Sequence, residues 1–212
     1  MVWDTVSPDP NEPRLTKCFS DFIGSEATRG HHSRGFQAMT SSIKRTRIYL
    51  AGKVPKGSEI GQLPDWRAEY ISALSVLPAF EFASPDDPNL DESDALEVFG
   101  HDCYLIQNSD LIVVNAKERL GVGTAQELLI AKYFTKPVFT VLPHGSPHRR
   151  KDLQAGKGIV ADWQHPFIVA SSDRIFASVQ ELVEHLGTWQ RGDPCKTLQI
   201  IHDAIRHYMQ RR

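Results

Sequence analysis

From Ile43 onward, the sequence alternates short apolar runs with longer segments whose apolar residues recur at helical spacing. The apolar runs predict strands, because they are short, rich in β-branched or aromatic residues, and bounded by Gly or Pro. They read "IKRTRIYLAG", "AFEFASP", "DLIVVNA", "KPVFTVLP" and "PFIVAS". Strands that alternate with helices indicate βαβ units. The sequence therefore predicts an α/β fold with a flavodoxin- or Rossmann-like parallel sheet and helices on both faces.

Five segments between and after these runs predict helices. They read "LPDWRAEYISALSVL", "DESDALEVFGHDCYLIQNS", "TAQELLIAKYF", "SVQELVEHLG" and "KTLQIIHDAIRHYMQRR". In the second, we expect Leu96, Phe99, Cys103 and Ile106 to form one buried face. The fourth begins with a capping box of Ser178 and Glu181. The polar, turn-rich stretch "HGSPHRRKDLQAGKGIVADWQH" predicts a surface loop.

Composition divides the chain into three parts. Residues 1–46 are rich in Pro, Ser, Gly, Thr and charge and have no apolar period, so we interpret them as an extension. Residues 47–190 form the predicted α/β domain. Residues 191–212 form a C-terminal amphipathic helix, which we expect to pack on the domain or on a partner subunit.

Charge and cysteine content narrow the class of protein. The formal net charge of -2 and pI of about 6.5 give no support for a binder of nucleic-acid polymers or membrane surfaces. The 3 widely spaced cysteines favour reduced thiols, and none has zinc-site spacing. No apolar run approaches the roughly 20 residues that a membrane helix needs. We expect a cytoplasmic protein.

In open parallel sheets, ligands bind beyond the carboxyl ends of the strands. That rule selects the segments "YLAGK", "FASPDD", "VNAKERLGVG" and "LPHGSPHRR". It predicts one cleft that gathers the glycines of these segments with Lys53, Asp86, Asp87, Glu127 and His144.

Each candidate functional residue also has an ordinary structural interpretation. Thr124 and Glu127 fit a helix capping box, with Thr124 at the N-cap and Glu127 at its third helical position. Gly121 and Gly123 would then only permit a tight turn. Asp102 fits a solvated helix charge, and Tyr49 fits a core aromatic. The turn is neither a Walker motif nor a complete GxGxxG.

Taken in order, "IYLAG", an aspartate ahead of "SDLIVVNA", and "GVGTAQELLIAKYFTKPVFTVLP" resemble the nucleoside 2-deoxyribosyltransferase family. They also resemble that family's relatives that hydrolyse deoxynucleoside 5'-monophosphates. The resemblance runs from Ile48 to Pro143. It implies Glu127 as the nucleophile, Asp102 as the group that serves the leaving base, and Tyr49 as the group that orients Glu127. No metal or organic cofactor is implied.

One departure from the family pattern bears on the substrate. Transferases of the family often carry an Asp where this chain has Gly121, so the resemblance favours hydrolysis and 5'-monophosphates. Candidate phosphate donors are Lys53, Lys56 and Ser58 after the first strand, or His144 and Ser146 after the fourth. The backbone of Gly52, Gly121 and Gly123 is expected to line the substrate cleft.

The resemblance also implies a homodimer or higher homo-oligomer, because family members commonly complete the site across a subunit interface. Two other functions fit the same sequence. One is a domain that binds a nucleotide signal without cleaving it. The other is a partner-binding flavodoxin-like domain, in which the glycine turn is mere architecture. The joint presence of Tyr49, Asp102 and Glu127 favours the enzyme.

Overall fold

A central sheet of five parallel strands organises the chain, with neighbouring strands in the order β2-β1-β3-β4-β7. The computed structural model describes residues 45–54, 65–77, 79–84, 87–156 and 158–212, and all of them belong to one compact unit. The strands are β1 (Thr46–Gly52), β2 (Phe80–Phe82), β3 (Leu111–Asn115), β4 (Val138–Val141), β5 (Arg149–Ala155), β6 (Gly158–Gln164) and β7 (Arg174–Phe176). The helices are α1 (Trp66–Leu74), α2 (Ala95–Gln107), α3 (Val122–Tyr133), α4 (Pro166–Ser171), α5 (Val179–Leu186) and α6 (Gln199–Met209). The parallel α/β prediction is confirmed.

The sheet is buried on both faces. On one face, Ile48 and Leu50 of β1 pack with the α1 and α5 side chains that include Leu74 and Leu182. On the other face, Tyr49 and its neighbours pack with α2 and α3. The two faces arise because successive side chains of a strand point to opposite sides. Tyr49 is thereby directed toward α3, the helix that carries Glu127.

The segment "PFIVAS", predicted as the last strand, is instead the helix α4. Pro166 occupies its first turn, where the missing N–H of proline costs nothing and its fixed φ suits the helix. Ile168 is buried, whereas Phe167 is exposed, which is the one-sided burial of a short surface helix. The last strand of the sheet is β7, which follows α4 and pairs with β4.

The stretch predicted as a polar surface loop is instead an antiparallel hairpin of β5 and β6. Most of its residues are exposed, so no apolar alternation marked it as a strand pair. Gly156, near the turn, has a φ of 54°, a backbone conformation that glycine adopts without steric cost. Hairpin formation here depends on backbone pairing rather than on a buried face.

Two predictions about helix faces also change. In α2, Leu96 is 77% exposed and Phe99 is 49% exposed, so the predicted face is buried only at its Ile106 end; Leu105, outside that face, is buried as well. No residue of α6 is buried, so the described residues do not cover its apolar side. Its packing on a partner subunit stays a prediction. None of the described helices is long and apolar enough to span a membrane.

Candidate active site

Tyr49 and Glu127 form the centre of the candidate site. Tyr49 is 4% exposed, and its hydroxyl donates a hydrogen bond of 2.9 Å to Oε1 of Glu127, 78 positions further along the chain. Burial is the main cause that raises the pKa of Tyr49, and the nearby carboxylates of Glu127 and Asp102 raise it further. The phenol therefore stays protonated and acts as a hydrogen-bond donor.

The capping-box interpretation of Glu127 is wrong. Helix α3 begins at Val122 with Gly121 as its N-cap, so Thr124 lies inside the helix. Glu127 lies in the second turn, and its side chain contacts Tyr49 rather than a free amide at the helix start. Only 8% of Glu127 is exposed. The carboxylate is therefore buried against the sheet.

The tight-turn explanation of the two glycines is also wrong. Gly121 has a φ of -71°, and neither Gly121 nor Gly123 adopts a left-handed conformation. A Cβ added at either glycine would meet no atom within 4 Å. The glycines instead leave open space beside the start of α3.

The environment of Glu127 shifts its protonation toward neutral pH. Burial raises the pKa of Glu127 to about 7, and the charge of Asp102 contributes in the same direction. The hydrogen bond from Tyr49 and the positive charge of Arg67 act against this rise. Oε2 of Glu127 is buried and has no hydrogen-bond partner among the described residues. One carboxylate oxygen thus accepts a hydrogen bond, and the other has no partner within the described ranges.

Asp102 lies on α2, near enough to Tyr49 and Glu127 to affect both electrostatically. Its side chain is 37% exposed and is therefore partly open to solvent. Burial raises the pKa of Asp102, whereas His101 and Arg67 lower it. Asp102 is therefore a second carboxyl group whose proton affinity is increased.

A cavity of about 330 Å³ opens at the carboxyl ends of the strands, as the topology rule predicts. Lys53 lines it, together with Trp66, Tyr70 and Asn115. Tyr70 donates a 3.2 Å hydrogen bond to Asn115, and the indole of Trp66 donates one of 2.9 Å to the backbone oxygen of Lys53. Tyr49, Asp102 and Glu127 are not among the residues that line this cavity.

His144 and Ser146 line a second, more open cavity of about 360 Å³, which shares Lys117 and Pro143 with the first. His144 Nδ1 lies 3.5 Å from Oδ1 of Asp162. Ser146 is buried, and its hydroxyl has no partner among the described residues.

The remaining predicted cleft residues separate into three cases. Gly52 is required by packing, because a Cβ there would lie 2.6 Å from the Trp66 ring. Asp87 is exposed and accepts a hydrogen bond from the Asn89 backbone. Lys56, Ser58 and Asp86 lie outside the described residues.

Two neighbours of the site were missed by sequence reasoning. Arg67, in the first turn of α1, places its charge near Tyr49, Asp102 and Glu127. His148 accepts a 3.0 Å hydrogen bond at Nε2 from the backbone N–H of Leu120, just before the glycine turn. His148 begins the basic cluster "HRRK", which is the only sequence feature that marks it, and no sequence pattern marks Arg67 as a site residue.

Among the described residues, no group of His, Cys, Asp or Glu side chains is arranged to hold a metal ion.

The chain was compared with known proteins. No family model and no curated protein matches it. The structure is similar to a 2-deoxyribosyltransferase from Bacillus psychrosaccharolyticus, with 18% identity, a TM-score of 0.45, and coverage of 72% of this chain and 98% of the other. It is also similar to the CMP N-glycosidase of Clostridium botulinum, with 16% identity, a TM-score of 0.42, and coverage of 68% and 100%.

A third similar structure is a conserved protein from Enterococcus faecalis V583, with 17% identity, a TM-score of 0.47, and coverage of 68% of this chain and 98% of the other. The function proposed for this chain is therefore argued from the geometry of its own site.

Proposed function

We propose that the chain is an enzyme that cleaves the N-glycosidic bond of nucleosides or, preferentially, of nucleoside 5'-monophosphates, with Glu127 as the nucleophile. The observation that carries this proposal is the buried Tyr49–Glu127 pair. One oxygen of Glu127 accepts the 2.9 Å hydrogen bond from Tyr49, and the other has no partner among the described residues. A carboxylate so buried and so incompletely bonded is costly for folding, which favours a functional role.

The chemistry proceeds in two steps. In the first, Oε2 of Glu127 attacks C1' as the bond to the base nitrogen breaks, through an oxocarbenium-like transition state. Asp102 donates its proton to the leaving base, a role that suits its raised pKa. The product of this step is a glycosyl ester of Glu127 and a free base.

In the second step, water attacks C1' of the glycosyl ester and Asp102 accepts the proton of that water. The C1'–Oε2 bond breaks, and the Glu127 carboxylate is restored. Because both steps invert C1', the sugar keeps its configuration. Tyr49 holds Oε1 throughout, so the attacking oxygen keeps its orientation.

The preference for hydrolysis and for monophosphates rests on the glycine turn and the adjoining cavities. Gly121 has no side chain to bind the sugar hydroxyls, and the space beside it is open. Lys53, His144 and Ser146 line the two cavities and supply donors for a phosphate group. A monophosphate gains charge-assisted hydrogen bonds there that a nucleoside lacks.

A base-release assay tests the proposal. Nucleosides and 5'-monophosphates are incubated separately with the wild-type chain and with Glu127→Gln, and free base is measured by chromatography. We expect release by the wild type only, fastest with monophosphates and little affected by an added acceptor base. Binding of the same compounds without release would instead support the nucleotide-sensing alternative. Rapid exchange with inert monophosphates would contradict the proposed preference.

A further inference from the structure

Arg67 is held at the edge of the candidate site by its neighbour Trp66. The guanidinium carbon lies 4.6 Å from the centre of the Trp66 ring. Trp66 is itself fixed, since its indole N–H bonds the Lys53 backbone oxygen and its ring fills the space above Gly52. The planar guanidinium is therefore positioned at the end of β1, although none of the described residues forms a hydrogen bond with it.

Arg67 differs from Arg149 and Arg191 in lacking hydrogen-bond partners for its guanidinium among the described residues. Arg149 donates to both carboxylate oxygens of Asp162 and to the Leu142 backbone oxygen. Arg191 donates to Asp110 and to the Arg45 backbone oxygen. Within the described ranges, the Arg67 guanidinium has no hydrogen bond or ion pair, and its Nε is buried. Buried donors are nearly always satisfied in folded proteins, so a missing partner needs an explanation.

The unpartnered donor lies at the same site as an unpartnered acceptor. The charge of Arg67 acts on Tyr49, Asp102 and Glu127, so its guanidinium lies within electrostatic range of all three. Oε2 of Glu127 is buried and also lacks a partner. An ion pair between Arg67 and either carboxylate would have satisfied both groups. Among the described residues, a cation and a carboxylate oxygen therefore lie at the same site with no bond between them.

We propose that Arg67 binds the substrate, by donating hydrogen bonds to an oxygen that is anionic or becomes anionic as the glycosidic bond breaks. Two substrate oxygens have this chemistry: those of a 5'-phosphate and the carbonyl of a leaving base. Guanidinium N–H groups form strong, directional bonds with such oxygens. The inference rests on the proposed function for the identity of the substrate, but it concerns binding rather than cleavage.

The test measures binding in a chain that cannot cleave. Dissociation constants are determined by calorimetry in the Glu127→Gln background. The probes are the common ribo- and deoxyribonucleosides, each with and without a 5'-phosphate. Arg67→Gln removes the charge, Arg67→Lys keeps it, and Arg150→Gln is the matched control, because Arg150 also stacks on a tryptophan, Trp163, on the β5–β6 hairpin. A thermal melt of each variant confirms folding.

We expect Arg67→Gln to weaken binding by about 10- to 100-fold, the usual effect of losing hydrogen bonds to a charged group. Arg67→Lys should recover part of the loss, and Arg150→Gln should bind like the parent. Weakening with monophosphates alone assigns the contact to the phosphate. Equal weakening with nucleosides assigns it to the base.

The outcomes separate this inference from the proposed function. If Arg67→Gln weakens binding but the wild type releases no base, Arg67 is a binding residue and the enzyme proposal fails. If the wild type releases base and Arg67→Gln binds every probe as tightly as the parent, the Arg67 inference alone is overturned. If the parent binds no probe and the wild type releases no base, both are overturned.

Discussion

Helix α3 carries two buried ionisable groups that differ in how completely they are bonded. Glu127, in its second turn, is 8% exposed and has one hydrogen-bond partner among the described residues, Tyr49. Lys132, near its end, is 1% exposed and donates to the Lys136 backbone oxygen and to the Asp173 carboxylate. Asp173 in turn accepts hydrogen bonds from the backbone N–H groups of Val138 and Lys196. Among the described residues, α3 therefore carries one buried carboxylate with an unpartnered oxygen, Glu127, and one buried ammonium that is hydrogen-bonded, Lys132.

Burial disfavours the charged form of both groups. It lowers the pKa of Lys132, where the ion pair with Asp173 opposes the change. It raises the pKa of Glu127, where Asp102 increases the change. A buried charge with all its partners ties chain segments together, here the start of β4 and the Lys196 segment. A buried charge with an unpartnered oxygen does little for folding, which is consistent with the catalytic role that we propose for Glu127.

The largest effect is expected from Glu127→Gln. The amide cannot act as an anionic nucleophile, so base release should fall on the order of 10³-fold or more. Folding should not suffer. The folded-state pKa of Glu127 is raised from its ordinary 4.5 to about 7, so ionised Glu127 makes stability fall as pH rises through that window. Gln avoids this loss, and we expect a melting temperature at pH 8 equal to or above that of the wild type.

The measurements are base release and thermal melts at pH 5 and pH 8. Glu184→Gln, which changes an exposed glutamate of α5, is the matched control and should leave both unchanged. Wild-type turnover in Glu127→Gln would remove the basis of the proposed chemistry. A lower melting temperature at pH 8 would mean that Glu127 contributes to folding as Lys132 does.

Lys132→Met tests the second buried charge of α3, which is hydrogen-bonded and paired with Asp173. Removing the cation leaves Asp173 buried without its charge partner, which typically costs about 3–5 kcal/mol of unfolding free energy. Turnover per folded molecule should stay near that of the wild type, because Lys132 is at the opposite end of α3 from the site. Urea unfolding and base release are measured on the same preparation.

The control for Lys132→Met is Lys151→Met, at an exposed position of β5. It should change the unfolding free energy by less than about 0.5 kcal/mol. A stable Lys132→Met with lost activity would reverse the assignment of roles along α3.

The sequence predicted the central elements of the fold because their apolar periods are strong. The runs around β1, β3 and β4 are mostly apolar, and the helices between them repeat apolar residues at helical spacing. Polar hairpins and short helices lack that signal. "PFIVAS" has the β-branched composition of a strand, but its first residue, Pro166, favours the start of a helix.

Side-chain direction was harder to predict than element type. The family resemblance predicted that Tyr49 orients Glu127, and the two side chains form a hydrogen bond in the structure. The capping box failed because it assumed that Thr124 is the N-cap of α3, whereas the N-cap is Gly121, three residues earlier. No sequence pattern marked Arg67 as a site residue, because its position beside the site depends on how α1 packs on β1. Local patterns do not contain that long-range information.

A smaller effect than that of Glu127→Gln is expected from Asp102→Asn. The amide cannot protonate the leaving base, so turnover should fall on the order of 10²-fold. Binding of a substrate analogue should change much less, because Asp102 acts when the bond breaks. A substrate with a good leaving group, such as a nucleoside of an electron-poor base, should lose less activity in this variant. An equal loss for good and poor leaving groups would contradict the assigned role.

The smallest effect is expected from Tyr49→Phe, which removes the hydrogen bond that Oε1 of Glu127 accepts. The hydrogen bond from Tyr49 lowers the pKa of Glu127, so its removal should raise that pKa above its present value of about 7. Because the ionised carboxylate attacks, kcat/KM should rise with pH through this pKa, and the variant's profile should lie at higher pH than that of the wild type. At pH 7 we expect roughly a 10-fold loss, part of which alkaline buffer restores. Tyr70→Phe, which also removes a buried hydroxyl but one bonded to Asn115, should leave the pH profile in place. An unshifted profile in Tyr49→Phe would show that Tyr49 only fills space beside Glu127.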